Sequence, residues 1–208
     1  MNFLNFLFPR KCLGCGKKGV YFCPSCKKEI ISLDPQVSLR ESPLDILISV
    51  FPYQGIIRQA ILKLKYNFVS DLADELADLT VRLIEQENLD CLSGQTLAPI
   101  PLHWYRKNWR GFNQTEILGE KLAQRLKINF CSDLLIRVRP TEPQVKLKEK
   151  KRKKNVKGAF KRNPRNQLPS TNYLLFDDVW TTGATMNECA RVLKRAGAKK
   201  VFGLTLAR

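Results

Sequence analysis

The stretch Leu174-Leu-Phe-Asp-Asp-Val-Trp-Thr-Thr-Gly-Ala-Thr185 decides which fold class this sequence can adopt. Its apolar first half has the length of a buried strand, and its last residues are small enough for a tight turn. A helical pattern over Thr185–Arg195 and a second apolar run over Lys200–Leu206 follow the turn. Because a strand, a helix and another strand succeed one another, the pattern predicts neighbouring parallel strands.

The same alternation extends back towards the N-terminus, and we predict an α/β fold whose mostly parallel sheet is flanked by helices. The segment 137–165 breaks the pattern because it is long, charged and weakly periodic, so we predict a basic flexible loop there. The other predicted strands and helices lie at Leu44–Phe51, Ile57–Leu64, Leu72–Glu87, Thr96–Leu102 and, from a helix start near Asn113, Leu118–Leu126.

Composition and charge limit the possible functions. The 208 residues, 44% of them hydrophobic, suffice for one sizeable core and a small appendage. Thirty-six Lys and Arg against nineteen Asp and Glu leave a net charge of +17, which predicts an anionic partner: nucleic acid, a membrane surface or phosphorylated metabolites. The apolar stretch Phe3–Phe8 is too short to span a bilayer. We expect a cytoplasmic protein without a membrane span, the alternative being a short membrane-touching helix.

Four of the seven cysteines form two Cys-x-x-Cys pairs: Cys12 with Cys15, and Cys23 with Cys26. Paired spacing of this kind predicts a structural Zn²⁺ site in a reducing compartment, because each short turn delivers two thiolates to a tetrahedral ion. Ordinary thiols or a redox pair are the alternatives. The lysines around these cysteines favour contact with nucleic acid and simple solubility about equally.

The turn after the acidic pair has the features of a phosphate site. Its backbone N–H groups and hydroxyls stand at a helix N-terminus, whose positive end attracts anions. Asp177 and Asp178 would repel such an anion unless they bind sugar hydroxyls or Mg²⁺; the alternative is surface charge at a strand end. Thr185 and Glu188 also match a capping box. The predicted phosphate-binding residues are Thr181, Thr182, Gly183, Ala184 and Thr185.

These residues resemble the phosphoribosyl pyrophosphate (PRPP) fingerprint of type I phosphoribosyltransferases. Over nearly the whole chain the sequence resembles one branch, the ComF (ComFC) competence proteins, which carry a zinc lobe before the phosphoribosyltransferase fold. The matching elements are Leu7–Pro9, the four cysteines, Tyr53, Gly55, Lys65, Tyr66, Pro99–Leu102, Arg110–Gln114, Thr141, Gln144, Leu147, Arg152, Asn155 and Gly158–Phe160.

The resemblance implies that the turn holds the 5′-phosphate of PRPP and that the two aspartates contact the ribose hydroxyls, directly or through Mg²⁺. It implies a pyrophosphate loop at Pro101, Leu102 and His103, although His103 is more simply a polar loop residue. The long loop would close over PRPP, since a ribosyl cation must be shielded from water as pyrophosphate leaves. Arg152 and Lys154 are our candidates for pyrophosphate capture.

We thus expect an N-terminal segment, zinc lobe and linker over residues 1–43 and a phosphoribosyltransferase-like domain over 44–208. The resemblance implies a phosphoribosyltransferase of unknown acceptor that serves DNA uptake in natural transformation and handles single-stranded DNA. A competence helicase or recombination-mediator proteins are possible partners. The alternative is a non-catalytic nucleic-acid-binding adaptor with a regulatory PRPP site.

Overall fold

The computed structural model of the chain describes residues 10–33, 36–37, 42–66, 70–87, 92–102, 111–141, 155–166 and 172–208. The N-terminal stretch Phe3–Phe8 lies outside them. The described helices and strands, in chain order, are α1 (Pro24–Lys28), β1 (Gln36–Val37), β2 (Ile46–Phe51), α2 (Gly55–Tyr66), α3 (Ser70–Gln86), β3 (Thr96–Pro99), α4 (Gln114–Leu126), β4 (Asn129–Phe130), β5 (Leu135–Arg137), β6 (Phe160–Arg162), β7 (Asn172–Val179), α5 (Ala184–Arg195) and β8 (Lys200–Ala207).

Strand β7 lies inside a sheet whose described strands run in the order β1-β2-β8-β7-β3-β4. All neighbours pair in parallel except β1, which pairs antiparallel with β2. The parallel α/β fold predicted from the alternation of strands and helices is therefore confirmed. Because the strands are parallel, β3 and β7 end at one edge of the sheet, and Pro99 of β3 pairs with Phe176 of β7.

Apolar cores cover both faces of the sheet, as a parallel sheet requires. On one face, α2, α3 and α4 pack over a core that includes Leu174 and Phe176 of β7. On the other face, α5 and the β5–β6 hairpin pack over a core that includes Tyr173 and Leu175. Alternate residues of β7 thus point to opposite cores, which also determines where the acidic pair points.

Three local predictions need correction. The predicted linker contains β1, where Val37 pairs with Leu47. The predicted irregular loop 137–165 begins and ends in antiparallel strands, β5 and β6. The Thr185–Glu188 capping box is wrong: α5 starts at Ala184 with Gly183 as its N-cap residue, and Glu188 binds other partners. The predicted start near Asn113 is confirmed, since its side chain accepts a hydrogen bond from the Thr115 N–H.

The cysteine-rich segment packs against the helices of the main body. Phe22 is buried in the core beneath α2 and α3, and the Glu75 carboxylate of α3 accepts hydrogen bonds from the backbone N–H groups of Tyr21 and Phe22 at 3.0–3.2 Å. Arg10 pairs with Asp71 at 2.8 Å. In the described parts of the chain, no helix is long and apolar enough to cross a membrane.

Candidate functional site

The four paired cysteines converge on one point. The sulfur atoms of Cys12, Cys15, Cys23 and Cys26 all lie within 4.8 Å of one another, and Cys15 is the exposed member. Cys15 Sγ and Cys23 Sγ are 3.6 Å apart, close to the roughly 3.8 Å separation of ligands in a tetrahedral zinc–thiolate site. A Cβ on Gly14 would approach Cys26 Sγ to 2.7 Å, so the turn requires glycine there.

The protonation of this cluster also suits a cation. Burial raises the pKa of the Cys12 thiol, but backbone N–H groups, that of Cys23 above all, outweigh it and lower the pKa to about 6. The crowded thiols, Cys23 first, together with burial raise the pKa of Cys26 to about 12. A bound Zn²⁺ stabilises four thiolates together, because its charge replaces the protons that otherwise separate them. The cluster therefore fits a structural zinc site.

A cleft opens where β7 ends and α5 begins. It encloses about 270 Å³, part of it open to solvent. Asp177, Trp180 and Thr205 contribute to its lining together with four of the five predicted phosphate-binding residues, Thr181, Gly183, Ala184 and Thr185. The first amides of α5 have no intrahelical acceptor, and Asn187 is the first residue whose N–H bonds back, to the Gly183 carbonyl at 2.9 Å. The cleft thus offers the donors that an anion requires.

Thr182 and Gly183 shape the floor of this turn. Thr182 Oγ1 is buried and has no hydrogen-bond partner among the described residues. Gly183 adopts a left-handed backbone with φ of +67°, and a Cβ there would lie 2.2 Å from the Trp180 ring. Only glycine therefore fits between the turn and the indole. An unpartnered buried hydroxyl costs free energy unless a ligand completes its bonding.

The two aspartates point to opposite faces of the sheet. Asp177 faces the cleft and shares its face with α5 and the β5–β6 hairpin. Asp178, 8% exposed, lies on the other face, where Lys65 Nζ is 3.0 Å and Gln114 Nε2 is 3.1 Å from its Oδ2 atom. The period of two along a strand separates the pair in this way. Of the two carboxylates, Asp177 is the one that lines the cleft.

The electrostatics of Asp177 differ from those of an exposed aspartate. Burial, and then the neighbouring Asp178 charge, raise the pKa of Asp177 to about 7. The Asp178 N–H, which donates to Asp177 Oδ1 at 2.8 Å, and the charges of Lys65 and Arg137 oppose this rise. Asp177 can therefore change its protonation near neutral pH, which is typical of groups at binding or catalytic sites.

Lys65 and Gln114 are the residues to which sequence reasoning assigned no role. Both belong to segments that carry the family resemblance, but nothing local to either segment predicts an ion pair with Asp178. Lys65 ends α2 and Gln114 begins α4, and the packing of these helices against the sheet brings both side chains to the end of β7. Asp178 holds the ammonium so closely that the pKa of Lys65 is raised despite its burial.

The other predicted site residues fall in two groups. Pro101 and Leu102 leave the sheet at the same edge as Asp177, because the Ile100 N–H donates to the Phe176 carbonyl at 2.8 Å. His103, Arg152 and Lys154 lie outside the described residues. The structure thus brings the start of the predicted pyrophosphate loop to the cleft edge.

Comparisons with known proteins fall into two kinds. No family model matches the chain. Among solved structures, adenine phosphoribosyltransferase from Leishmania tarentolae aligns with 65% of this chain and 70% of that chain at 16% identity. Its TM-score of 0.29 is too low to support any argument.

The sequence relatives are much more similar. Competence protein F of Haemophilus influenzae is 32% identical over 205 residues, which cover 95% of this chain and 84% of that protein. DNA utilization protein YhgH of Salmonella typhimurium is 32% identical over 86% of this chain and 85% of its own length. Competence protein ComFC of Bacillus subtilis is 26% identical over 77% of this chain and 63% of its own length. At this identity over most of its length, the chain belongs to the ComF family of competence proteins.

Proposed function

We propose that this protein binds PRPP in the cleft at the end of β7 and serves DNA uptake and utilization. The names of its relatives, competence protein F and DNA utilization protein YhgH, support the second half of the proposal. The cleft supports the first half. The observation that carries the proposal is the unpartnered, buried Thr182 Oγ1 in a turn that also exposes the N-terminus of α5, since both features favour a phosphate.

In this proposal the turn from Thr181 to Thr185 binds the 5′-phosphate and Asp177 accepts hydrogen bonds from the ribose hydroxyls. Mg²⁺, if PRPP brings it, is suited to one carboxylate plus substrate phosphates, and Asp177 is the carboxylate available in the cleft. Asp178 acts from behind, because its pairing with Lys65 and Gln114 holds the end of β7.

The reaction class is phosphoribosyl transfer to an acceptor. The bond between C1′ and the pyrophosphate oxygen breaks, pyrophosphate leaves with the electron pair, and the acceptor forms a new bond to C1′. The cations of segment 137–165 stabilise the leaving charge, and closure of the segment excludes water. No side chain of this protein needs to act as a nucleophile.

Calorimetry with PRPP, with and without Mg²⁺, tests the binding proposal on the full-length, zinc-loaded chain. Thr182→Val keeps the shape but removes the hydroxyl, and we expect it to weaken PRPP binding by about tenfold, the effect of one charge-assisted hydrogen bond. Thr181→Val is the matched control, since Thr181 is exposed. Absence of heat with the unmodified protein would refute PRPP binding.

The second candidate is a nucleic-acid-binding adaptor in which PRPP only regulates. The exposed lysines of the cysteine lobe favour it, because Lys11, Lys17, Lys18 and Lys28 all reach solvent beside the four thiols. We expect affinity for single-stranded DNA to fall steeply with salt, since counterion release scales with the phosphates neutralised. Binding to DNA without pyrophosphate release from PRPP in any acceptor mixture would favour the adaptor.

A further inference from the structure

Glu188 is a buried acidic residue of α5 that the phosphate cleft does not use. It lies five residues after Gly183, the N-cap of α5, and is 7% exposed. A carboxylate at this depth is unfavourable unless its oxygens are bonded. Glu188 Oε1 accepts a hydrogen bond from the Gly158 N–H at 2.8 Å, and Glu188 Oε2 accepts one from Arg191 at 2.9 Å.

Gly158 belongs to the base of the predicted closing loop. Residues 135–141 and 155–162, here called the loop base, form the two sides from which segment 142–154 departs and to which it returns. Gly158 adopts a left-handed backbone with φ of +69°, which turns its N–H towards α5 and out of the β5–β6 ladder. On either side of it, Val156 and Ala159 are buried against the core that α5 covers.

The two sides of the loop base are joined to each other. The Arg139 guanidinium donates to the carbonyl of Asn155 at 3.1 Å and to that of Lys157 at 2.7 Å. The Val138 N–H donates to the Ala159 carbonyl at 2.9 Å. The loop base therefore forms one unit, and Glu188 bonds this unit to the helix that begins at the phosphate turn.

We propose that Glu188 is a positioning residue that sets the closing loop at the correct distance from the phosphate turn, so that the loop reaches the pyrophosphate of PRPP. The proposal rests on the proposed function, since it assumes that PRPP occupies the cleft. Glu188 touches neither the sugar nor its phosphates. Its loss should therefore weaken ligands that need the loop and spare ligands that need only the turn.

Ribose 5-phosphate and PRPP separate these two cases because only PRPP carries pyrophosphate. In the full-length protein, Glu188→Met keeps the volume and removes both acceptor oxygens. We expect the Kd for PRPP to rise about tenfold while the Kd for ribose 5-phosphate changes less than about twofold. Glu188→Gln is the matched control: it can still accept the Gly158 N–H and should stay close to the unmodified protein. Arg191→Ala tests whether the other partner matters.

The outcomes are distinguishable. Equal weakening of both ligands by Glu188→Met, or an unchanged Kd for PRPP, overturns the role of Glu188. If Glu188→Met does not fold, Glu188→Asp withdraws the carboxylate from Gly158 and should show the same selective loss. Rapid hydrogen exchange of the Gly158 amide in the unmodified protein would also overturn the proposal. If that protein binds neither ligand while the Gly158 amide is protected, the proposed function is the part that fails.

Discussion

The ion pair between Lys65 and Asp178 gives the most direct test of how the site is built. Lys65→Met removes the ammonium and nearly preserves the volume, which leaves Asp178 with Gln114 as its remaining partner at 3.1 Å. Breaking a fully buried pair costs about 3–5 kcal/mol. The two side chains here are 22% and 11% exposed and one hydrogen bond remains, so we expect a loss of about 2–3 kcal/mol in the free energy of unfolding.

Urea unfolding of the zinc-loaded protein at pH 7.5 measures this cost, and a double-mutant cycle with Asp178→Asn isolates the pairing. The double variant should lose clearly less stability than the sum of the single variants, because it leaves no unpaired charge. Lys194→Met is the control, since its partner Asp45 is 36% exposed and such a pair contributes at most about 1 kcal/mol. Equal costs at the two lysines, or strict additivity in the cycle, would refute the reasoning.

Three further predictions concern the cleft and the cysteine cluster. Gly183→Ala forces a Cβ against the Trp180 ring in a left-handed backbone, so calorimetry should detect no PRPP binding in a protein whose circular dichroism is unchanged; retained affinity would contradict the described turn. Since burial, aided by the Asp178 charge, raises the pKa of Asp177 to about 7, the native protein keeps a proton that the unfolded chain releases near pH 4. Its urea stability relative to Asp177→Asn should therefore decrease between about pH 4 and 7, and a constant difference would argue against this burial. Cys23→Ser should reduce bound zinc measured by elemental analysis and lower the melting temperature, because the lobe is anchored through Glu75; full zinc content would show that the cluster is not the ligand set.

Much of the fold followed from local patterns. The apolar run before Asp177, the helix after the turn and the Asn113 helix start each depend on a few neighbouring residues, and the structure has them within a few positions of the prediction. The capping box at Thr185 failed for an equally local reason. Gly183 can adopt the left-handed backbone that begins α5 earlier, which frees Glu188 for a distant partner.

The acidic pair shows where local patterns stop being informative. Strand alternation alone implies that Asp177 and Asp178 diverge, yet we expected both at one ribose. The partners of Asp178 could not be inferred, since Gln114 is 64 positions away and Lys65 lies on another helix. The β5–β6 hairpin was missed because strands of three residues leave almost no periodic signal in a strongly charged segment.

The sequence by itself determined the thiol cluster, the parallel sheet and the small-residue turn after the acidic pair, because metal-ligand spacing and the periods of strands and helices are properties of adjacent residues. Only the tertiary structure decided that Asp178 pairs with Lys65 and that Glu188 bonds Gly158. Those contacts join side chains from separate elements, and their distances depend on how helices pack against the sheet, which no local pattern encodes.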